Sequence, residues 1–424
     1  MTSTIKAVRG MHDILPDSSP VWQFLEQTVN QVLTAYGYQQ IRLPVVEKTE
    51  LFERSLGETT DIVSKEMYTF TDKSGELLTL RPEGTASCVR AGLEHGLFQN
   101  PALKLWYTGP MFRYERPQKG RFRQFHQIGI ETYGLAGPDI DAEIITMGMR
   151  IWKQLGLDNL ELQINSLGSN ESRKNYRNTL VEYFQSYRDK LDEDSLNRLD
   201  KNPLRILDSK NPDMQDLVKA APVITDSLDA ESAEHFATLQ QLLNAVNVPF
   251  SINPRLVRGL DYYNRTVFEW ITSELGAQGT VCGGGRYDSL VEKFGGPSAP
   301  AIGFGMGLER LVSLIENKAE ARVNRLPHLY FIVASNNAMA AALSLSEHLR
   351  NDIPGLRLVM HCGGGSFKSQ FKKADKSGAE IALIIGDNEL AQQKIGIKPL
   401  RSEEAQSEVS WSGLAGSIRG KLHI

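Results

Sequence analysis

Cysteine is scarce in this chain: Cys88, Cys282 and Cys362 are the only three in 424 residues, and they lie far apart. None stands in a paired spacing, so zinc-ribbon and CxxC redox chemistry are not expected, and reduced, mostly packed thiols are. Long hydrophobic runs are missing too, none approaching the ~18–20 residues that span a bilayer. The opening MTSTIKAVRGMHDILPDSSP lacks the apolar core of a signal peptide. A soluble, cytoplasmic protein with no membrane partner is the expectation. No internal repeat and no low-complexity segment is present. A formal net charge of −4 excludes a general basic coat for nucleic acid. An RNA partner would therefore have to be met by local basic patches. What is present is ordinary for a globular protein, 41% apolar and 23% charged residues. The length exceeds what one compact core accommodates, so two or three domains are expected.

Residues 20–36 carry Val21, Phe24, Leu25, Val29, Val32, Leu33 and Tyr36 at helical spacing, closed by Gly37. An extended piece ending at Pro44 follows. From Leu103 to about Tyr133 the pattern reads strand, turn, strand, with Gly109-Pro110 as a break. Between about Ser169 and Asp226 dense charge and helix formers predict a small helical insertion. Strands return from roughly Phe250 to Trp270 and again from Ala301 to Gly307. After Arg325-Leu326-Pro327, the runs LYFIVAS, RLVMHC, EIALIIG and KIGIKPL, the first three separated by helical stretches, imply βαβ units and a mixed or parallel sheet.

Alternation along a strand groups Arg113 with Glu115, and on the returning strand Arg123, Phe125, Gln127, Gly129 and Glu131. One hairpin face thus offers guanidinium, carboxylate and amide groups around an aromatic ring, while Ile128 and Ile130 face a core. A merely solvated polar face would look similar. The tip, Arg116-Pro117-Gln118-Lys119-Gly120-Arg121, is a basic loop suited to phosphate. Gly303, Gly305 and Gly307 fall at period two and leave one strand face bare, so a flat ring or phosphate chain can approach the backbone. Arg310 follows in the first turn of an apolar helix. GFGMG is not a dinucleotide fingerprint, because its third glycine comes one residue early and no βαβ unit follows, which removes the nicotinamide-oxidoreductase reading. Arg258, in LVRGLDYY, reads equally as an ion-pair partner or a substrate cation, and Tyr262 and Tyr263 as core aromatics or a ring-binding surface. CGGGRYD (282–288) adds a second glycine-rich piece.

These pieces together resemble the three signature motifs of the class II aminoacyl-tRNA synthetases. The first matches the helix and strand ending at Pro44, the second FRYE (112–115) with Arg121–Phe125, and the third Gly303–Arg310. RPEGT (81–85), LVRGLDYY and CGGGRYD resemble the histidine-specific branch, and the C-terminal region is similar to the anticodon-binding domain shared by several class II enzymes. No HIGH-type or KMSKS-type motif of the other synthetase class is present. The resemblance implies an α+β and α/β multidomain fold. Its parts would be a catalytic core over 1–325 built on an antiparallel sheet flanked by helices, a helical insertion at 169–226, and a C-terminal α/β anticodon-binding domain over 327–424. It further implies ATP-dependent activation of histidine, transfer to tRNA, and a homodimer built on the first motif.

By the same resemblance Arg113 holds the α-phosphate of ATP, Phe125 and Arg310 sandwich the adenine, and Glu115 helps fix the nucleotide. Glu83 and Thr85, helped by Gln127, bind the histidine α-amino group. Glu131 and Tyr263 hydrogen-bond the imidazole, beside Tyr262. Arg258 bridges substrate carboxylate and α-phosphate, where other class II enzymes use a metal ion. Mg²⁺ accompanies ATP, no protein residue is assigned to a metal, and no tightly bound cofactor is expected. Arg116, Gln118 and Arg121 face the tRNA acceptor end. Lys372 and Lys373, in a cluster with Lys368 and Lys376, form a candidate anticodon-side patch, although such a run is also what a solvated helix face looks like. A histidine-binding regulatory relative would tend to lose the motif arginines and the C-terminal domain, both kept here. A synthetase for glycine, proline or threonine would not call for Glu131 with Tyr263 in LVRGLDYY.

Overall fold

The computed structural model describes the chain except residues 1–3, 58–59, 119, 200–202, 208, 210, 261, 277–278, 320–324 and 423–424. Lys119 of the basic loop tip, Asp261 of LVRGLDYY, and parts of the 169–226 stretch and of the 320–325 boundary therefore lie outside the described residues. The chain divides into two compact units, residues 1–322 and 323–424.

In the first unit the strands run, in chain order, β1 (Gln39–Gln40), β2 (Val46–Lys48), β3 (Tyr68–Thr71), β4 (Leu77–Leu80), β5 (Leu103–Phe112), β6 (Gln124–Tyr133), β7 (Glu161–Ser166), β8 (Ser251–Ile252), β9 (Asn264–Ile271), β10 (Thr280–Arg286) and β11 (Ala301–Gly307). Eight of them make one sheet in the order β1-β5-β6-β11-β10-β9-β7-β8, and β2-β4-β3 make a small second one. The six inner strands of the large sheet are antiparallel, and only the edge pairs β1–β5 and β7–β8 are parallel. Period-two alternation gives this sheet two unlike faces. Ile128, Ile130, Phe268, Trp270, Phe304 and Met306 are buried on one of them. There the helix Pro138–Leu155 packs, with Trp152 edge-on to Trp270 at 6.2 Å, and it contacts the helices Ser19–Ala35 and Ala230–Ala245. The other face carries the functional groups.

Three local expectations are corrected. Gly109-Pro110 does not break the hairpin, because β5 runs through it to Phe112 in register with β6. The outer neighbour β1 covers only Leu105 and Trp106, so the missing Pro110 N–H costs no ladder bond there. The extended piece ending at Pro44 contains only a two-residue strand. Between Phe250 and Trp270 the described residues are strand only at Ser251–Ile252 and from Asn264 on, and LVRGLDYY falls between these strands. The helix read over 20–36 spans Ser19–Ala35, and Gly37, at φ +79°, turns the chain out of it.

The second unit holds β12 (Leu329–Val333), β13 (Leu358–Met360), β14 (Ile381–Ile385), β15 (Lys394–Pro399) and β16 (Ser407–Ser410) in the order β13-β12-β14-β15-β16. β12–β14 are mutually parallel, and β15 and β16 are added antiparallel. The last strand, flanked by small and charged residues, had no apolar run to announce it. The helix Phe367–Lys376 buries Gln370 and Ala374 and leaves Lys368, Lys372, Lys373 and Lys376 exposed.

Candidate active site

The polar face of the large sheet opens into a cleft of about 210 Å³. Arg113, Glu115, Phe125 and Gln127 line it from the β5–β6 hairpin, Arg258 from the β8–β9 loop, and Gly283, Gly305, Gly307 and Arg310 from β10, β11 and the helix Leu308–Ala319. Arg113 Nε donates to the Pro82 carbonyl at 2.9 Å, and its guanidinium lies 5.2 Å from the Phe125 ring centroid. Arg310 donates to the carbonyls of Gly120 (3.2 Å) and Thr280. Burial and the neighbouring Arg121 hold Arg310 below the ordinary arginine range, though a guanidinium remains a cation. Arg258 makes a short ion pair with Glu269. Burial disfavours its charge, but the Glu269 carboxylate together with the Tyr263 and Tyr262 hydroxyls outweighs this, so Arg258 stands above the usual range. Several fixed cations around one cleft suit a polyanion.

Beside the cleft lies a closed polar cluster. Glu83 caps the helix Thr85–Glu94, accepting from Thr85 N (2.7 Å) and Ala86 N (2.9 Å), although Gly84 holds the N-cap position itself. The Glu131 carboxylate accepts three hydroxyls: Thr85 Oγ1 and Tyr107 OH, each at 2.9 Å, and Tyr287 OH. Burial raises Glu131 to about 8 against those hydroxyl donors, with Glu83 adding to the rise. Glu83 is also pushed up by burial. Tyr262 and Tyr263 pack at 4.7 Å, both near Tyr287, and burial lifts both hydroxyls, so they serve as donors. Among the described residues, Gln127 Oε1 and Arg258 Nε are buried without a hydrogen-bond partner, which marks the boundary between cluster and cleft as a place built for another molecule.

The sequence-derived candidates thus fall into two adjoining groups, Arg113, Glu115, Phe125, Gln127, Arg258 and Arg310 in the cleft, and Glu83, Thr85, Glu131, Tyr262 and Tyr263 in the cluster. Arg116 and Gln118 are exposed at the hairpin tip, whereas Arg121 lines the cleft and pairs with Glu115 at 3.1 Å. Lys372 and Lys373 belong to the second unit. Arg123 does not share the cleft face. β6 begins only at Gln124, and Arg123 instead lies 3.9 Å from the Tyr114 ring centroid with its Nε on the Glu115 carbonyl. The glycine strand is bare only in part. A Cβ on Gly303 would meet the Glu131 carboxylate, whereas Gly307 has nothing within 4 Å. Tyr107, Tyr287, Glu269, Thr280 and Glu309 had not been singled out. The signal for Tyr107 lies in Gly84 and Gly129, whose missing side chains make room for its ring, and reading it needs the strand register. Glu309 accepts the His126 N–H at 2.8 Å and contacts its ring Nδ1 at 3.0 Å, tying the helix that bears Arg310 to the strand that bears Phe125. Among the described residues no group of three His, Cys, Asp or Glu is placed to hold a metal ion, and no helix is long and apolar enough to cross a membrane.

A mainly antiparallel sheet flanked by helices, followed by a separate C-terminal unit with its own sheet, is the fold expected of a class II aminoacyl-tRNA synthetase. Residues 10–311 match the family model for histidyl-tRNA synthetase, and residues 328–421 match that of an anticodon binding domain. The chain belongs to the histidyl-tRNA synthetase family. It is 56% identical over 422 residues to a histidine–tRNA ligase of Hydrogenovibrio crunogenus, covering 100% of this chain and 99% of that relative. The crystal structure of apo histidyl-tRNA synthetase from S. aureus is similar at TM-score 0.82 and 36% identity, over 98% of this chain and all of that one. A histidyl-tRNA synthetase from Nostoc sp. shares the fold at TM-score 0.70 and 23% identity, over 99% of this chain and 100% of that one.

Proposed function

We propose that this cleft and the adjoining cluster are where the chain carries out its family's reaction, the ligation of histidine to tRNA with ATP. Histidine sits with its ammonium group toward Glu83, Thr85 and the orphaned Gln127 oxygen. Its imidazole lies between Glu131 and Tyr263, against Tyr262. ATP occupies the cleft, adenine between Phe125 and Arg310, with Glu115 beside the nucleotide. The histidine carboxylate attacks the α-phosphate in line, so two anions must be brought together. Arg113 and Arg258 lower that repulsion and neutralise the charge that builds on the phosphate oxygens, an electrostatic preorganisation that needs no side-chain nucleophile. Pyrophosphate leaves, and the terminal ribose hydroxyl of tRNA attacks the mixed anhydride. The observation that carries this reading is that Arg113 and Arg258 line one cleft, beside a buried cluster of carboxylates and tyrosine hydroxyls able to meet an imidazole.

Mg²⁺ enters this reading with ATP. It commonly takes one or two carboxylates plus phosphate oxygens and water. Of the cleft-lining carboxylates Glu309 accepts from His126 and Glu115 pairs with Arg121, so Glu115 would hold the ion only by giving up that pair. There the ion would neutralise phosphate charge. The exposed Arg116 and Gln118 would meet the tRNA acceptor end, with Arg121 at the cleft rim, and Lys372 and Lys373 the anticodon side. Residues 1–325, interrupted by the insertion at 169–226, would form the catalytic part and 327–424 the anticodon-binding part. A cytoplasmic homodimer is the assembly that the family resemblance supports.

Gly307→Ala tests the nucleotide side. The position has open space and no left-handed φ, so the fold should accept the methyl group, and melting should be unchanged. The methyl group would instead project into the cleft and raise KM for ATP about tenfold, the scale of a modest overpacking cost. An unchanged KM for ATP would move the nucleotide away from β11.

A further inference from the structure

Arg258 and Arg310 reach one cleft from different elements, a loop and the first turn of a helix, and both are tied to the same residue of β10. Thr280 Oγ1 donates to Glu269 Oε2 at 3.0 Å, and Glu269 Oε1 takes the short ion pair from Arg258 Nη1. The main-chain carbonyl of Thr280 accepts from Arg310 Nη1. A backbone irregularity makes this possible. On β9 Ile271 lies opposite Thr280 and Trp270 opposite Cys282, so β10 spends one extra residue, Val281, in a bulge. In a regular strand residues 280 and 283 would point to opposite faces. The bulge brings Thr280 onto the face of Gly283, which lies opposite Glu269 and whose absent side chain leaves room for the Arg258 guanidinium.

We propose that Glu269 and Thr280 are a positioning pair that aims Arg258 at the reacting phosphate, while the Thr280 carbonyl holds Arg310 beside the nucleotide. The inference rests on the role given above to Arg258. Glu269 does not line the cleft, so it acts through the arginine. The Thr280 hydroxyl stops the carboxylate from rotating, as outer partners do for groups that must be held in one orientation.

The test is single-turnover adenylate formation and, separately, equilibrium binding of histidine and of ATP. These are measured on Glu269→Gln, Thr280→Val, Thr280→Ser, the double variant Glu269→Gln/Thr280→Val, and Arg258→Ala. Glu269→Gln should slow adenylation by about tenfold or more, with both binding constants within about threefold. Thr280→Val, close to isosteric, should slow it by about fivefold, and Thr280→Ser should restore it. The double variant should be no slower than Glu269→Gln alone, because the hydroxyl acts only through the carboxylate. Wild-type rates in Thr280→Val while Arg258→Ala is slow, or additive losses in the double variant, would overturn the pair and leave the Arg258 role standing. A wild-type rate in Arg258→Ala would remove that role and the pair with it.

Discussion

Arg258→Ala is expected to slow adenylate formation by about 10²–10³-fold, the scale seen when one donor to a developing oxyanion is removed. Binding of histidine and of ATP should weaken much less, because the charge matters most as the two anions close on each other. The structure supplies two reasons for a large effect. Arg258 sits at the junction of cleft and cluster, 5.9 Å from the Tyr263 ring centroid, with its Nε unpartnered among the described residues. Its removal also uncovers Glu269, which then adds an uncompensated negative charge near the reacting phosphate. Arg258→Lys should recover only part of the rate, since a point charge on a flexible stem cannot reproduce the fork. Rapid-quench measurement with ATP and histidine in excess checks both variants. Near wild-type turnover in Arg258→Ala would end the assigned role.

Glu131→Gln should cut kcat/KM for histidine by about 10²-fold, because a buried carboxyl group that accepts at both oxygens is exchanged for an amide whose NH₂ can only donate. The same change should stabilise the substrate-free protein in a pH-dependent way. The carboxyl titrates at about 8 in the fold against an ordinary 4.5. The folded chain therefore binds that proton more tightly than the unfolded one. The stability this lends is fully present below about pH 4.5 and is lost as pH rises through about 8. The glutamine side chain of the variant has no such proton to lose, so its melting temperature should gain on wild type between pH 5 and pH 8.5. Glu83 is raised in the same direction but is common to both proteins. A difference in melting temperature that stays flat over this range would mean that the three hydroxyl donors outweigh burial and that Glu131 is ionised throughout. Activity lost while stability is gained would mark Glu131 as a strained functional group.

The chemistry of the site was more legible than its geometry. Arg113, Phe125, Gln127, Glu131, Arg258 and Arg310 could be named as candidates because strand alternation and motif spacing are local properties of the chain, while their roles came from the family resemblance. Glu269 could not, since in TVFEW it is one charged residue on a strand, and its meaning comes from the register with β10 and the bulge at Val281. Tyr287 could be quoted within CGGGRYD but not placed on Glu131, a contact across 156 positions. Arg123 was misplaced because alternation was carried one residue past the start of β6. There the chain is held instead by the N-terminal segment, with Arg123 N donating to the Gly10 carbonyl at 2.8 Å. Gly109-Pro110 looked like a stop because turn chemistry is read locally, whereas a neighbouring strand that ends early is not visible along the sequence. β16 escaped for a similar reason, being an edge strand whose exposed Ser407 and Glu408 carry no hydrophobic alternation.

The central claim is that this cleft and pocket activate histidine, and pyrophosphate exchange into ATP tests it most directly, run with Mg²⁺ and each of the twenty amino acids in turn. The expected result is exchange with histidine alone, since only a side chain with two ring nitrogens would meet both Glu131 and Tyr263. Exchange with another amino acid would keep the fold and discard the pocket assignment, and histidine binding without exchange would contradict the catalytic reading outright.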